Sequence, residues 1–311
     1  MGFSLLKVLS QILKRIFYEK KNFNDLSSSL ILATFLLCLF GVVSTYSASA
    51  IKSNETYGYP FIFALKQIVG IFLGFFCIFL LQKAPQKTID RIPLPFFLLT
   101  SLSLSLIMIP GLYETAGGAS RWLRISFFTI QPAEFAKLSF VLIVAKILSR
   151  KTFKITDISS VILNHLFILL FLTYVLMKQP DFGSTFVLYS LLFVMLFFAG
   201  LKTKHILIGV CSLTPLALWA IFSSPYRTKR ILGFLSPWEN MNNEGFQIVQ
   251  SYLAFQNGGF LGVGLGNSKQ KLFYLPEAHT DFILSIIAEE VGSLGVIILL
   301  ALYSYIIYLG Y

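Results

Sequence analysis

At 311 residues, with 56% hydrophobic and 13% charged residues and a mean hydropathy of +0.77, the chain is excluded from the water-soluble globular proteins. Its net charge of +11 sits largely in short loops between apolar runs, a pattern of membrane topology and attraction to anionic lipid rather than of nucleic-acid binding. Cys38, Cys77 and Cys211 all fall inside apolar runs, which gives neither a disulfide framework nor a zinc cluster.

Residues 1–27 form a basic arm in which Leu5, Leu6, Leu9, Ile12, Leu13 and Ile16 fall near one helical face; this predicts an amphipathic helix lying in the membrane interface. Eight apolar runs follow, near 28–50, 61–82, 92–111, 133–149, 158–177, 183–200, 205–223 and 282–309. Each approaches the roughly 20 residues that span a bilayer, so the expected fold is all-α, a polytopic helical membrane bundle. The fourth and sixth runs are the shortest. Basic residues in the arm and at Lys83, Lys87, Arg91, Arg150, Lys151, Lys154, Lys202 and Lys204 mark the cytoplasmic side. The N terminus is therefore expected inside, and 224–281 is expected as a long extracytoplasmic loop.

Three outward segments are polar and glycine-rich. In the first, Arg121 follows Gly117 and Gly118, and its planar guanidinium suits a phosphate. Glu134 and Lys137, three apart, either pair structurally or serve the site. In the second, Asp181 follows Pro180 and reads as a helix cap or a functional acid. The third is the long loop. It carries the basic cluster Arg227, Lys229 and Arg230, then a helical pattern over 244–257 with Gln247, Gln250 and Ser251 on its polar side. Glycines at 258, 259, 262, 264 and 266 predict a flexible loop, serving either as an amide nest for phosphate or for tight packing.

The stretch Tyr274–Phe282 then leads into the last run. Asp281 is an acid at a membrane boundary, hence either a functional group or a helix cap. Asp281, Ser285 and Glu289 recur four apart, which predicts one polar face turned inward. Glu290 adds an acid, and His279 stands two residues before Asp281. Three well-separated histidines give no metal motif.

At these residues the chain resembles the SEDS family of shape, elongation, division and sporulation proteins, and most closely its cell-division branch. The blocks that carry the resemblance are GASRW at 118–122, QPAEFAK at 131–137, QPDFGS at 179–184 and NGGFLGVGLGNSKQKLFYLPEAHTDFI at 257–283. The resemblance implies a peptidoglycan polymerase that consumes lipid II, with Asp281 as the catalytic acid of the HTD motif. Arg121, Arg230, Lys137 and Lys271 would offset charge on the departing undecaprenyl diphosphate, and Gln247, Ser251 and His279 would contact substrate. Glu134, Asp181, Glu289 and Glu290 would support the site. A divalent cation, Mg or Mn, is a further option for balancing the diphosphate. The partners implied are a class B penicillin-binding transpeptidase and other division proteins, in the bacterial inner membrane at the septum. The alternatives are a lipid II flippase and a noncatalytic division scaffold. Family members usually have ten spans, so two further helices are expected beyond those read here, and the chain reads as a fragment or a shortened form.

Overall fold

The computed structural model describes residues 23–109, 113–116, 119–125, 128–150, 153, 155–241 and 243–310. The expected helix of the basic arm and the Gly117–Gly118 pair lie outside them. All eight apolar runs are helical: α1 Phe23–Tyr57; α2 Ile62–Lys83; the single turn α3 Gln86–Ile89 continued by α4 Pro93–Leu106; α5 Pro132–Leu148; α6 Ile158–Lys178; α7 Phe182–Phe198; α8 Thr203–Phe222; and, last, Ile283–Gly310. Among the described residues six spans are long and apolar enough to cross a membrane. The two runs read as short, α5 and α7, are helices of 17 residues each.

Two compact units are distinguished, one formed by Ile78–Ser223 and the other by the chain up to Cys77 together with Ser224 onward. In the first, the core lies where α4, α5, α6 and α7 meet. Leu104, Phe140, Val144, Leu172, Leu176 and Leu188 there are fully buried. Lipid tails are as apolar as leucine, so such a core gains close packing rather than dehydration. Interhelical polar contacts add to it, as where Thr100 Oγ1 and Ser139 Oγ lie 2.8 Å apart. One element was not expected from sequence. β1 Tyr113–Ala116, β2 Ala119–Ile125 and β3 Phe128–Ile130 form a small antiparallel sheet in that order, with Leu123 opposite both Tyr113 and Ile130.

In the second unit the long loop is mostly ordered secondary structure: α9 Pro225–Leu235, α10 Phe246–Gly258 and a π-helical turn Gln270–Tyr274. The last helix, α11 Ile283–Gly310, is not continuous as its sequence suggests. Gly292 at φ 77°, ψ −176° interrupts it. In an unbroken helix the amides of Ser293 and Leu294 would donate to the carbonyls of Glu289 and Glu290. Instead they donate to Gly259 O (2.9 Å) and Phe260 O (3.2 Å). The Glu289 and Glu290 carbonyls accept from Val263 N and Gly264 N, both at 3.0 Å.

The glycine loop is thus the hydrogen-bonding partner of the break, which corrects the expectation of a flexible loop. Backbone lies directly on backbone here. A Cβ on Gly258 would strike the Ala288 carbonyl, one on Gly262 that of Glu290, and one on Gly292 the backbone of Phe260. Gly262→Ala, at φ 80° and against the Glu290 carbonyl, is expected to yield little folded protein. Gly266→Ala, at φ 84° with open space around its Cβ, should cost only about 1–2 kcal/mol, the strain of an alanine in that conformation. Thermal unfolding in detergent measures both, and equal small losses would contradict the packing described.

Candidate active site

The corner between the π-helical turn and α11, residues 275–282, carries Asp281. Its underside is apolar: Leu275 and Ala278 are buried with Ala48 of α1 and Ile286 of α11. Asp281 itself is exposed. The first helical residue of α11 is Ile283 and the residue before it is Phe282, so Asp281 lies outside the helix. The four-residue repeat turns inward only from Ser285, which is buried together with Glu289.

Two side chains flank the acid. The His279 ring packs edge-on against Phe63 of α2, with centroids 4.8 Å apart. Glu277, at φ 54°, pairs with Lys52 of α1 at 3.2 Å, and Thr280 Oγ1 donates to its other oxygen at 3.2 Å. Burial alone would raise the Glu277 pKa. The hydrogen bond and charge of Lys52, with smaller help from Thr280 and His279, outweigh burial and hold it below the ordinary carboxylate range. His279 is pushed below its ordinary 6.5 by burial first and by Lys52 second, against the pull of Glu277 and Asp281.

Beneath the corner Glu289 and Glu290 are 1% and 3% exposed. Glu289 accepts from Ser268 Oγ in a short hydrogen bond, from Gln270 N at 3.2 Å and from Asn257 Nδ2 at 3.4 Å. Glu290 accepts from Ser47 Oγ, which lies 2.7 and 2.6 Å from its two oxygens, from Lys271 Nζ at 2.9 Å and from Ser268 N at 3.4 Å. On the neighbouring α10, Ser251 Oγ and Ser285 Oγ lie 2.7 Å apart. Beside these, Lys229, Arg230, Asn243, Glu244, Phe246, Gln247 and Pro276 line an open cleft of about 300 Å³. Pro276 belongs to the corner.

Several sequence-derived site residues have other occupations. Lys271 is buried and paired with Glu290, not presented to a diphosphate. In the other unit, Arg121 donates to the carbonyls of Pro180 (2.6 Å) and Gln179 (3.5 Å), where it faces the C-terminal end of α6, a favourable place for a cation. Lys137 pairs with Glu134 at 2.8 Å. Asp181 caps α7, accepting from Ser184 N at 3.1 Å and Ser184 Oγ at 2.7 Å, which is the cap reading. Sequence reasoning passed over Ser47, Lys52, Ser268 and Glu277. The available signals were a serine-rich stretch, 44–53, inside an apolar run, and a lone lysine at its end.

The profile of FtsW, RodA and SpoVE cell cycle proteins matches residues 28–311. The chain belongs to this family. A probable peptidoglycan glycosyltransferase FtsW from Geobacter metallireducens is 39% identical over 90% of the chain and 75% of its own length. Stage V sporulation protein E of Bacillus subtilis is 36% identical over 90% of the chain and 77% of its own. A solved peptidoglycan synthase complex, described for how it coordinates polymerization and crosslinking, has a chain with a TM-score of 0.68 and 27% identity, over 89% of this chain and 75% of that one. The family match takes in the corner, the buried acids and the glycine loop alike.

Among the described residues no three His, Cys, Asp or Glu side chains gather as metal ligands. The residues at the corner do not make a cage for Mg or Mn, and such a cation would need most of its ligands from phosphate and water.

The charges around His279 give a test. Lys52→Ala should raise the pKa of His279 and Asp281→Asn should lower it further, each read by NMR titration of the ring from a starting point below 6.5. Because folding depresses this pKa, the unfolded chain binds the proton first. Stability is then lost as pH falls from about 6.5 through the folded value.

Proposed function

We propose that this multi-pass membrane protein is a peptidoglycan glycosyltransferase that polymerises lipid II into β-1,4 glycan strands during septal cell-wall synthesis. The corner would lie at the outer face of the bacterial inner membrane, with the N terminus in the cytoplasm. Asp281 is the general base. It takes the proton of the acceptor GlcNAc 4-hydroxyl as that oxygen bonds to the anomeric carbon of the donor, whose bond to diphosphate breaks. Undecaprenyl diphosphate leaves and the configuration at the anomeric carbon inverts. The sugar arrives already activated, so the reaction needs no nucleotide.

The observation that carries this reading is an exposed carboxylate on a corner held from beneath. A base must meet a hydroxyl delivered from outside the protein, yet stay fixed while it does so. The adjoining cleft supports substrate contact: Arg230 brings positive charge suited to the departing diphosphate, beside Lys229, which pairs with Glu244 at 3.7 Å, and Gln247 and Asn243 bring amides suited to sugar hydroxyls. The solved relative acts in a synthase complex, which supports a class B penicillin-binding transpeptidase as the partner that cross-links the strands.

Purified protein in proteoliposomes with labelled lipid II tests the reading. Asp281→Asn and Asp281→Ala should lose about 10²–10⁴-fold in chain growth, the usual span for removing a general base, while still binding lipid II. Undiminished polymer from Asp281→Asn would reject the base. Leaflet exchange of lipid II without polymer in the unaltered protein would mark a flippase, and neither activity would mark a scaffold.

A further inference from the structure

The corner leaves and rejoins the protein through two segments that are stapled together. On one side stand Ser268, Gln270 and Lys271, and on the other Glu289 and Glu290, joined by the buried bonds from Ser268 Oγ and Gln270 N to Glu289 and from Lys271 Nζ to Glu290. A third leg comes from α1, where Ser47 Oγ reaches both oxygens of Glu290 and lies 3.3 Å from Lys271 Nζ. Five residues further along α1, Lys52 meets Glu277 within the corner itself.

The energetics of the stem argue against stability as its purpose. The Lys271 and Glu290 side chains are 8% and 3% exposed. A pair so buried gives up nearly all its hydration, and a well-packed apolar pair of similar size is often as stable or more so. What an apolar pair lacks is direction. Ser47 and Lys271 fix the rotation and axial register of α11 at Glu290, and Ile283, the first helical residue after the corner, lies roughly 10 Å along the axis from there. A slip at the stem is carried directly to Asp281.

We infer that Lys271, Glu290 and Ser47 are positioning residues that hold the Asp281 corner in its reactive placement, acting on turnover and not on substrate affinity. The inference rests on the polymerase reading for its catalytic half. Its structural half, that these groups order residues 275–282, stands on the bonds alone.

The experiment uses the full chain in proteoliposomes and compares Ser47→Ala, Lys271→Met and the triple variant Ser47→Ala/Lys271→Met/Glu290→Met. Three measurements are made on each: thermal midpoint, hydrogen exchange over 275–282, and kcat and KM for labelled lipid II. Lys271→Met strands a buried carboxylate and should melt earlier. The triple variant should regain the wild-type midpoint while exchange at the corner rises at least tenfold and kcat falls at least tenfold, with KM within twofold. A misplacement of about 1 Å suffices for a loss on that scale.

A triple variant with wild-type exchange and kcat would overturn the inference. Should it fail to fold, Ser47→Ala decides, since it loosens Glu290 and keeps the ion pair. A roughly threefold rise in corner exchange with a matching fall in kcat supports the inference, and no change in either overturns it. If the unaltered protein makes no glycan, the polymerase reading fails and corner exchange alone decides the structural half.

Discussion

In hydrocarbon every backbone amide and carbonyl needs a partner within the protein, because water is absent and an orphaned group costs several kcal/mol. The break at Gly292 would leave the carbonyls of Glu289 and Glu290 and the amides of Ser293 and Leu294 without one. The glycine loop supplies all four bonds. That exchange explains Gly258 and Gly262 better than a ligand does: the loop must come within backbone contact of α11 there, and a Cβ at either position would keep it away. The break and the loop are therefore one device, each supplying the other's backbone partners.

The device also determines what happens to the acids above it. With the loop anchored to the carbonyls of Glu289 and Glu290, the chain that follows passes beside the side chains of the same two residues, and Ser268, Gln270 and Lys271 become their partners. Backbone of these two residues binds one segment and their side chains bind the next. The desolvation that makes intramembrane acids costly is offset by donors on the adjoining stretch of chain and on α1. Packing of Leu275 and Ala278 on Ala48 and Ile286 then turns the corner outward and exposes Asp281.

Much of this was legible in the sequence, for physical reasons. Apolar runs near 20 residues long can hardly be anything but helices in a bilayer, so all eight were found and even the shortness of α5 and α7 was read correctly. The pattern over 244–257 gave α10, whose residues Val249 and Ala254 are buried. The break in α11 was hidden because Gly292 in an apolar run costs a helix only about 1 kcal/mol, and only the distant glycine loop makes the interruption favourable. The sheet containing Arg121 was hidden because its strands are short and polar, without a clean alternation. Arg121 and Lys271 read as substrate contacts for the same reason: sequence reveals an unusual cation, not the backbone carbonyls or the carboxylate that it meets in the fold. That Lys271 belongs to Glu290 depends on chain reversal through the corner.

Four carboxylates lie between residues 277 and 290; Glu277 has one oxygen paired with Lys52 and the other accepting from Thr280, and the surroundings of the remaining three divide their labour. A carboxylate has about four lone-pair sites. Glu289 accepts from Ser268, Gln270 and Asn257, and Glu290 from Ser47, Lys271 and Ser268. With their lone pairs so committed in a buried setting, neither can take a proton from an incoming sugar without first breaking bonds that hold the corner. Asp281 differs on both counts: it is exposed, and its carboxylate accepts none of the hydrogen bonds found among the described residues. A general base requires an available lone pair within reach of the proton it removes, and of the three only Asp281 offers one. The lower acids serve the reaction by being unavailable to it, since saturated groups make a rigid seat for the group that must stay unsaturated until substrate arrives.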